Sequence, residues 1–141
     1  MDAKVTWKTD NQFEGWSGSG LTLPVAGGPS AEGEEGFRPM ELLLVGLGGC
    51  TGLDVISILE KKRQKVTHFE VQVHGDRADE HPKVFTHIVV EYIVGGENID
   101  RAAVERAVEL SSTKYCSARA MLGAVAQIEN RITILDEVPQ A

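Results

Sequence analysis

The chain has 141 residues, 42% hydrophobic and 25% charged, which suits one globular domain over residues 1–141. A net charge of −7 at pH 7 excludes a general nucleic-acid binder, because phosphate neutralisation needs a basic surface. The longest uncharged run of the central segment, Leu42 to Leu53, is shorter than the ~20 apolar residues of a membrane span. Residues 1–10 lack the apolar core of a signal peptide, so a cytoplasmic protein without membrane contact is expected, with Cys50 and Cys116 reduced at the outset.

In chain order, Ala3, Val5 and Trp7 alternate with Lys4, Thr6 and Lys8 and predict a half-buried strand, closed by the turn signal Asp10-Asn11. Phe13 to Val25 reads as one or two further strands, broken by Gly15, Gly18 and Gly20. Residues 26–38, rich in Gly, Glu and Pro, read as an exposed loop. Pro39 then suits the first position of a helix, and Glu41 its first turn. This helix is expected from Pro39 to about Lys62. It is apolar all round in its middle and so should be buried on every side.

Phe69, Val71 and Val73 begin a hairpin whose second strand places Val84, Thr86, Ile88, Val90, Tyr92 and Val94 on one face. Asn98 or Asp100 can cap a second helix, with Val104, Ala107, Val108 and Ser111 on one side. Ser111-Ser112-Thr113 interrupts the pattern. A third helix is expected to carry Tyr115, Ala118, Met121, Leu122 and Val125, and Arg131 to Leu135 forms a closing strand. The order predicts an α+β fold with largely antiparallel sheets and one long buried central helix. A single small sheet cannot cover every side of that helix. A homodimer with the Pro39–Lys62 helices near its interface is therefore expected.

Gly46, Gly48, Gly49 and Gly52 surround Cys50 inside the predicted helix. Each costs roughly 1 kcal/mol against alanine there, and close approach of another backbone is the usual compensation. Helical spacing puts Leu43, Gly46, Leu47, Cys50, Leu53, Asp54 and Ser57 on one face, a hollow that is apolar apart from Asp54. Two readings of Cys50 fit: an inert thiol in tight packing, or a reactive one in that hollow. Cys116 falls near a helix start, where the dipole favours thiolate. Such a pair suits thiol–disulfide chemistry, in which one sulfur attacks and the other resolves the sulfenic acid.

RPMELLLVGLGGC, the helix after it, the hairpin and KYCSARAML together resemble the OsmC/Ohr superfamily of hydroperoxide reductases, over nearly the whole chain. The resemblance implies an OsmC-like, intertwined α+β homodimer with two central helices. It makes Cys50 peroxidatic and Cys116 resolving, with an organic hydroperoxide as substrate, an external dithiol as reductant and no cofactor. Active members carry a glutamate directly after the helix-opening proline. This chain has Met40 there and Glu41 one residue later. They also draw an arginine from the N-terminal strands, where this chain has only Lys4 and Lys8. Asp54, one turn after Cys50, would raise a thiol's pKa, so Arg38 and Arg119 are the candidate compensating cations.

An apolar lining from Leu43, Leu47 and Leu53 suits an organic hydroperoxide. The alternative is a non-catalytic dimer holding a small apolar ligand, its cysteines bystanders or slow redox sensors. A metal site is not expected: His68, His74, His81 and His87 lie around the hairpin without ligand spacing.

Overall fold

The computed structural model describes residues 1–28 and 35–135. The chain divides into two compact units, residues 1–43 and 44–141.

The first unit is an antiparallel meander of β1 (Ala3–Thr9), β2 (Gln12–Ser17) and β3 (Thr22–Ala26), in that order across the sheet. Asp10 turns the first hairpin with φ 46°, a left-handed conformation that a short polar side chain tolerates. Trp7 Nε1 donates to the Asp10 carbonyl at 2.9 Å. Register places Trp7 opposite Phe13 and Phe13 opposite Val25, so the apolar positions do share a face. The expected half-burial of β1 is not found. All its residues are exposed, because this unit is one sheet with no second layer among its described residues. Of the loop expected over 26–38, residues 29–34 lie outside the described residues. Phe37 forms a bridge beside Val25.

The long helix α1 runs from Pro39 to Lys61, and the boundary between the units falls within it. After it come β4 (Lys65–Arg77), β5 (Phe85–Glu97), α2 (Arg101–Leu110), a π-helical turn (Ser111–Tyr115), the short α3 (Ser117–Leu122) and β6 (Gln127–Leu135). The second sheet has the order β4-β5-β6. The largely antiparallel pairing expected from sequence is found in β1–β2, β2–β3 and β4–β5, while β6 runs parallel to β5. The chain between them carries α2 and α3, the kind of crossover a parallel pair requires.

On β5 the two-residue period is obeyed at Ile88, Val90, Tyr92 and Val94, all fully buried. It fails at the strand's start. An irregularity in pairing between Asp76 and Arg77 leaves Phe85 buried while Val84 and Thr86 are exposed. Asp100 caps α2 by accepting from the Ala102 N–H at 3.1 Å, and Ala103, Val104, Ala107 and Val108 form its buried face. The expected third helix is only six residues long, and Tyr115, Met121 and Val125, which were to be its apolar face, are exposed.

Nor is α1 buried on all sides. Leu47, Thr51, Val55 and Leu59 make a buried line, while Leu53 is 73% and Val45 57% exposed. The neighbour that its glycines admit is a sheet rather than another backbone. A Cβ on Gly48 would meet Val73 Cγ2 at 3.2 Å, and one on Gly52 would meet Val71 Cγ2 at 3.4 Å, whereas at Gly46 and Gly49 it would meet open space. By length and apolar composition this helix of 23 residues would also pass for a membrane span, which its longest uncharged run does not suggest. Only 22% of its apolar stretch is buried, and on that side Thr51 bonds Tyr92 of β5 at 2.7 Å while Asp54 accepts from Ser111 at 2.9 Å. We expect Gly48→Val to destabilise the fold by roughly 1–3 kcal/mol through overpacking against Val73, read as a lower urea midpoint with an unchanged slope.

Candidate functional site

Two features of the α1 surface toward the π-helical turn define the site. Cys50 lies half-buried on α1, and Thr51, next to it, is buried. The π-helical turn ends at Cys116, whose N–H donates to the Ser111 carbonyl at 2.8 Å. That wider turn keeps Ser111 buried and Ser112 half-buried, so both serines reach the interior in succession. It also brings Cys116 close enough to Cys50 for that side chain to raise the Cys116 pKa. The two sulfurs are free thiols, Cys116 only 4% exposed and Cys50 half-buried.

The dipole argument predicts an acidic Cys116. The structure gives the opposite. Burial comes first among the causes that push this thiol up, from 9.0 to about 11; the Arg119 backbone N–H, which donates to Cys116 Sγ at 3.3 Å, pulls the other way and loses. The hydrogen bond with Cys50, the Cys50 charge and the Asp54 charge push it up further. A six-residue helix supplies one backbone donor, which does not outweigh removal from water. At neutral pH Cys116 is therefore a thiol that holds its proton.

Asp54 follows Cys50 by one turn of α1 and accepts from Ser111 Oγ at 2.9 Å. Ser111 in turn shares a bond of 2.7 Å with Thr51, and Thr51 one of 2.7 Å with Tyr92. Burial raises the Tyr92 phenol above 10.0, so it is a neutral donor at physiological pH. Sequence reasoning passes over Thr51, Tyr92, Ser111, Ser112 and Asn130. The available signal is Tyr92 itself, a hydroxyl amid the aliphatic inner positions of β5 that must find a partner.

Arg119 lies near this network but aims elsewhere: its guanidinium donates to Asn130 Oδ1 at 2.7 Å and to the Ile128 carbonyl at 3.2 Å. Arg38 and Glu41 belong to the first unit. There the Arg38 N–H donates to Glu41 Oε1 at 2.9 Å, one half of a capping box at the start of α1. Leu47 is fully buried, Leu43 is exposed, and Leu53 lines an apolar groove of about 590 Å³ together with Val45, Gly48, Phe69, Val71 and Val73. Cys50 is not among the residues lining that groove. His68, His74 and His87 each pair with carboxylates on the strands, as in His74–Asp76 at 3.0 Å and His87–Glu129 at 3.5 Å. Among the described residues no group of three or more His, Cys, Asp and Glu is placed to hold a metal ion.

The fold is α+β, with a long glycine-rich helix that carries one of two neighbouring free thiols. The model of the OsmC-like protein family matches residues 31–130, and the chain belongs to that family. Protein YhfA of Escherichia coli strain K12 is 40% identical over 135 residues, 96% of this chain and 98% of that protein. The crystal structure of a hypothetical protein from Aquifex aeolicus VF5 superposes with a TM-score of 0.83 at 32% identity over 95% of each chain. The organic hydroperoxide resistance protein OhrB of Bacillus subtilis shares the fold, with a TM-score of 0.63 at 20% identity over 94% of this chain and 98% of that one.

The raised Cys116 pKa has a consequence for stability. The folded state binds the thiol proton more tightly than the unfolded state does, so this contribution is complete below pH 9.0 and is lost as pH rises through about 11. Urea midpoints measured across that window should fall more steeply for the wild type than for Cys116→Ser.

Proposed function

We propose that the protein is a cytoplasmic, thiol-dependent peroxidase that reduces organic hydroperoxides. The observation that carries this reading is the proximity of a half-buried Cys50 to a buried Cys116, close enough for Cys50 to raise the Cys116 pKa. Cys50 thiolate attacks the O–O bond, giving Cys50 sulfenic acid and an alkoxide that takes a proton and leaves as the alcohol. Cys116 then attacks the Cys50 sulfur, forming the disulfide and releasing water. An external dithiol reduces the disulfide and is itself oxidised to a disulfide. Membership of the OsmC-like family supports the reading, as do the hydroperoxide-resistance proteins that share its fold.

One observation favours a second reading, a non-catalytic ligand-binding or redox-sensing dimer. Glu41, one residue past the position where active members carry a glutamate, is engaged in capping α1, and Arg119, a candidate cation for Cys50, binds Asn130. Hydroperoxide consumption with a dithiol reductant separates the two. The peroxidase reading expects activity in the wild type and at least a 100-fold loss in Cys50→Ser, of the order expected when a covalent nucleophile is removed. Equal rates would favour the second reading.

We further propose that the working unit is a homodimer joined through the exposed apolar flank of α1. Support comes from the groove beside Val45, Gly48 and Leu53, and from the bare apolar face bearing Val5 and Trp7 on the first sheet. Light scattering at micromolar concentration should give twice the chain mass for the wild type. Leu53→Glu should shift the population to single chains.

A further inference from the structure

We propose that Ser111 is a positioning residue: it ties the turn that ends at Cys116 to α1 beside Cys50, and so sets how readily the two sulfurs join. This inference rests on the disulfide step of the peroxidase reading and on no other part of it.

Ser111 is fully buried and bonds in three directions. Its hydroxyl meets Thr51 Oγ1 at 2.7 Å and Asp54 Oδ2 at 2.9 Å. Its carbonyl accepts from the Cys116 N–H at 2.8 Å and closes the π-helical turn. On α1, Thr51 directly follows Cys50, and Asp54 lies one turn beyond it. One residue thus reaches both cysteine-bearing segments, α1 through its side chain and Cys116 through its backbone. Among the described residues, both side-chain hydrogen bonds between α1 and the turn belong to Ser111.

Counting protons fixes the direction of these bonds. Asp54 as a carboxylate only accepts, so the one hydroxyl proton of Ser111 goes to it. Ser111 then accepts from Thr51, and Thr51 accepts from Tyr92 at 2.7 Å. Each of the two hydroxyls, on Thr51 and Ser111, gives one proton and takes one. Turning Ser111 away would strip Asp54 of this donor and Thr51 of its acceptor, and losses of that kind are costly in a dry interior.

Beyond Ser111 the segment is held from the other side. The Arg119 N–H donates to Cys116 Sγ at 3.3 Å, Arg119 Nη1 to Asn130 Oδ1 at 2.7 Å, and Asn130 Nδ2 to Ser112 Oγ at 2.9 Å. These bonds orient the Cys116 sulfur and join its segment to β6. None of them reaches α1, so the distance from Cys116 to Cys50 is set through Ser111. A disulfide requires Cα atoms about 4.4–6.8 Å apart and a torsion of roughly 90°. A misplacement of about 1 Å can slow a step between held groups about 100-fold.

The test is the equilibrium of the dithiol with glutathione, which uses no peroxide. Protein dithiol and glutathione disulfide give protein disulfide and two molecules of glutathione. Both protein sulfurs are oxidised, both glutathione sulfurs are reduced, and the two thiol protons pass to glutathione. Acid-quenched mass spectrometry reads the closed form as loss of two hydrogens from the intact chain over a series of glutathione ratios. Ser111→Ala should lower the closing constant at least tenfold, which raises the reduction potential by about 30 mV. Thr51→Val removes one of the two bonds without emptying space and should move the constant the same way by a smaller factor. It decides the matter where Ser111→Ala does not fold. Both shifts should be equal at about pH 6 and about pH 8, because geometry does not titrate, whereas an effect through thiolate ionisation grows toward the thiol range. Leu59→Ala, a core change near the far end of α1, should lower the urea midpoint and leave the closing constant unchanged. Wild-type closing constants in both Ser111→Ala and Thr51→Val overturn the inference. So does a shift confined to the higher pH, or an equal shift in Leu59→Ala. A wild type that consumes no hydroperoxide overturns the peroxidase reading alone, and the glutathione equilibrium still decides the role of Ser111. A wild type that forms no Cys50–Cys116 disulfide overturns both.

Discussion

Where α1 meets β5, a threonine, a tyrosine and a serine meet in a space from which water is excluded. Thr51 touches both Tyr92 and Ser111 at 2.7 Å, and among the described residues no buried side-chain nitrogen or oxygen lacks a partner. A hydroxyl left unpaired in such a place costs about 1–3 kcal/mol. That penalty constrains the segment after α2. A regular helix continued through Ser111 and Ser112 would carry successive residues apart by about 100°. The wider π-helical turn instead lets Ser111 reach Thr51 and Asp54 while Ser112 reaches Asn130. Cys116 ends that turn, tied to it by its N–H on the Ser111 carbonyl. The position of the second thiol thus follows from the need to satisfy buried hydroxyls several residues earlier.

The two sides of α1 serve different ends. One side carries Leu47, Cys50, Thr51 and Asp54, and it holds both the core contact and the Cys50 thiol. The other carries Val45, Gly48, Gly49, Gly52, Leu53 and Ile56 and forms one wall of the apolar groove against Phe69, Val71 and Val73. The glycines belong to the second side. Gly48 and Gly52 let β4 valines approach, so packing offsets their helix-propensity cost, whereas Gly46 and Gly49 face open space. Helical spacing alone groups Gly46 with Cys50, but it cannot say which neighbours press on a bare Cα.

The two-residue period of β5, the Asp100 cap and the continuous helix from Pro39 are local patterns, and the chain order alone reveals them. The cysteine pair is visible too, because a chain with two cysteines, one in a glycine-rich helix and one beside a helix start, presents few alternatives. What escapes sequence reading depends on distant partners. The parallel docking of β6 is set by the crossover, not by its own residues. The exposure of Trp7 and Leu53 depends on what covers them. The pKa of Cys116 reverses from its expected direction because burial, a tertiary quantity, exceeds the pull of one backbone donor. The hydrogen bonds from Tyr92 through Thr51 and Ser111 to Asp54, and from Arg119 through Asn130 to Ser112, join elements far apart in sequence, which no helical or strand period reveals.

Arginine and glutamate could polarise a peroxide only with their heads free to reach it. In this chain the Arg119 head group is held by two acceptors on β6, and the Glu41 carboxylate is held by the backbone N–H of Arg38. Releasing either would leave an acceptor or a helix end without its partner, at a cost comparable to a lost cap of about 1 kcal/mol. Near Cys50 lies the protonated thiol of Cys116, which burial and the Asp54 charge keep from ionising. Under the proposed peroxidase reading, that proton would be released when the disulfide closes and restored when the disulfide is reduced. The half-buried sulfur would then be the one to meet the peroxide and the buried one the one to resolve it.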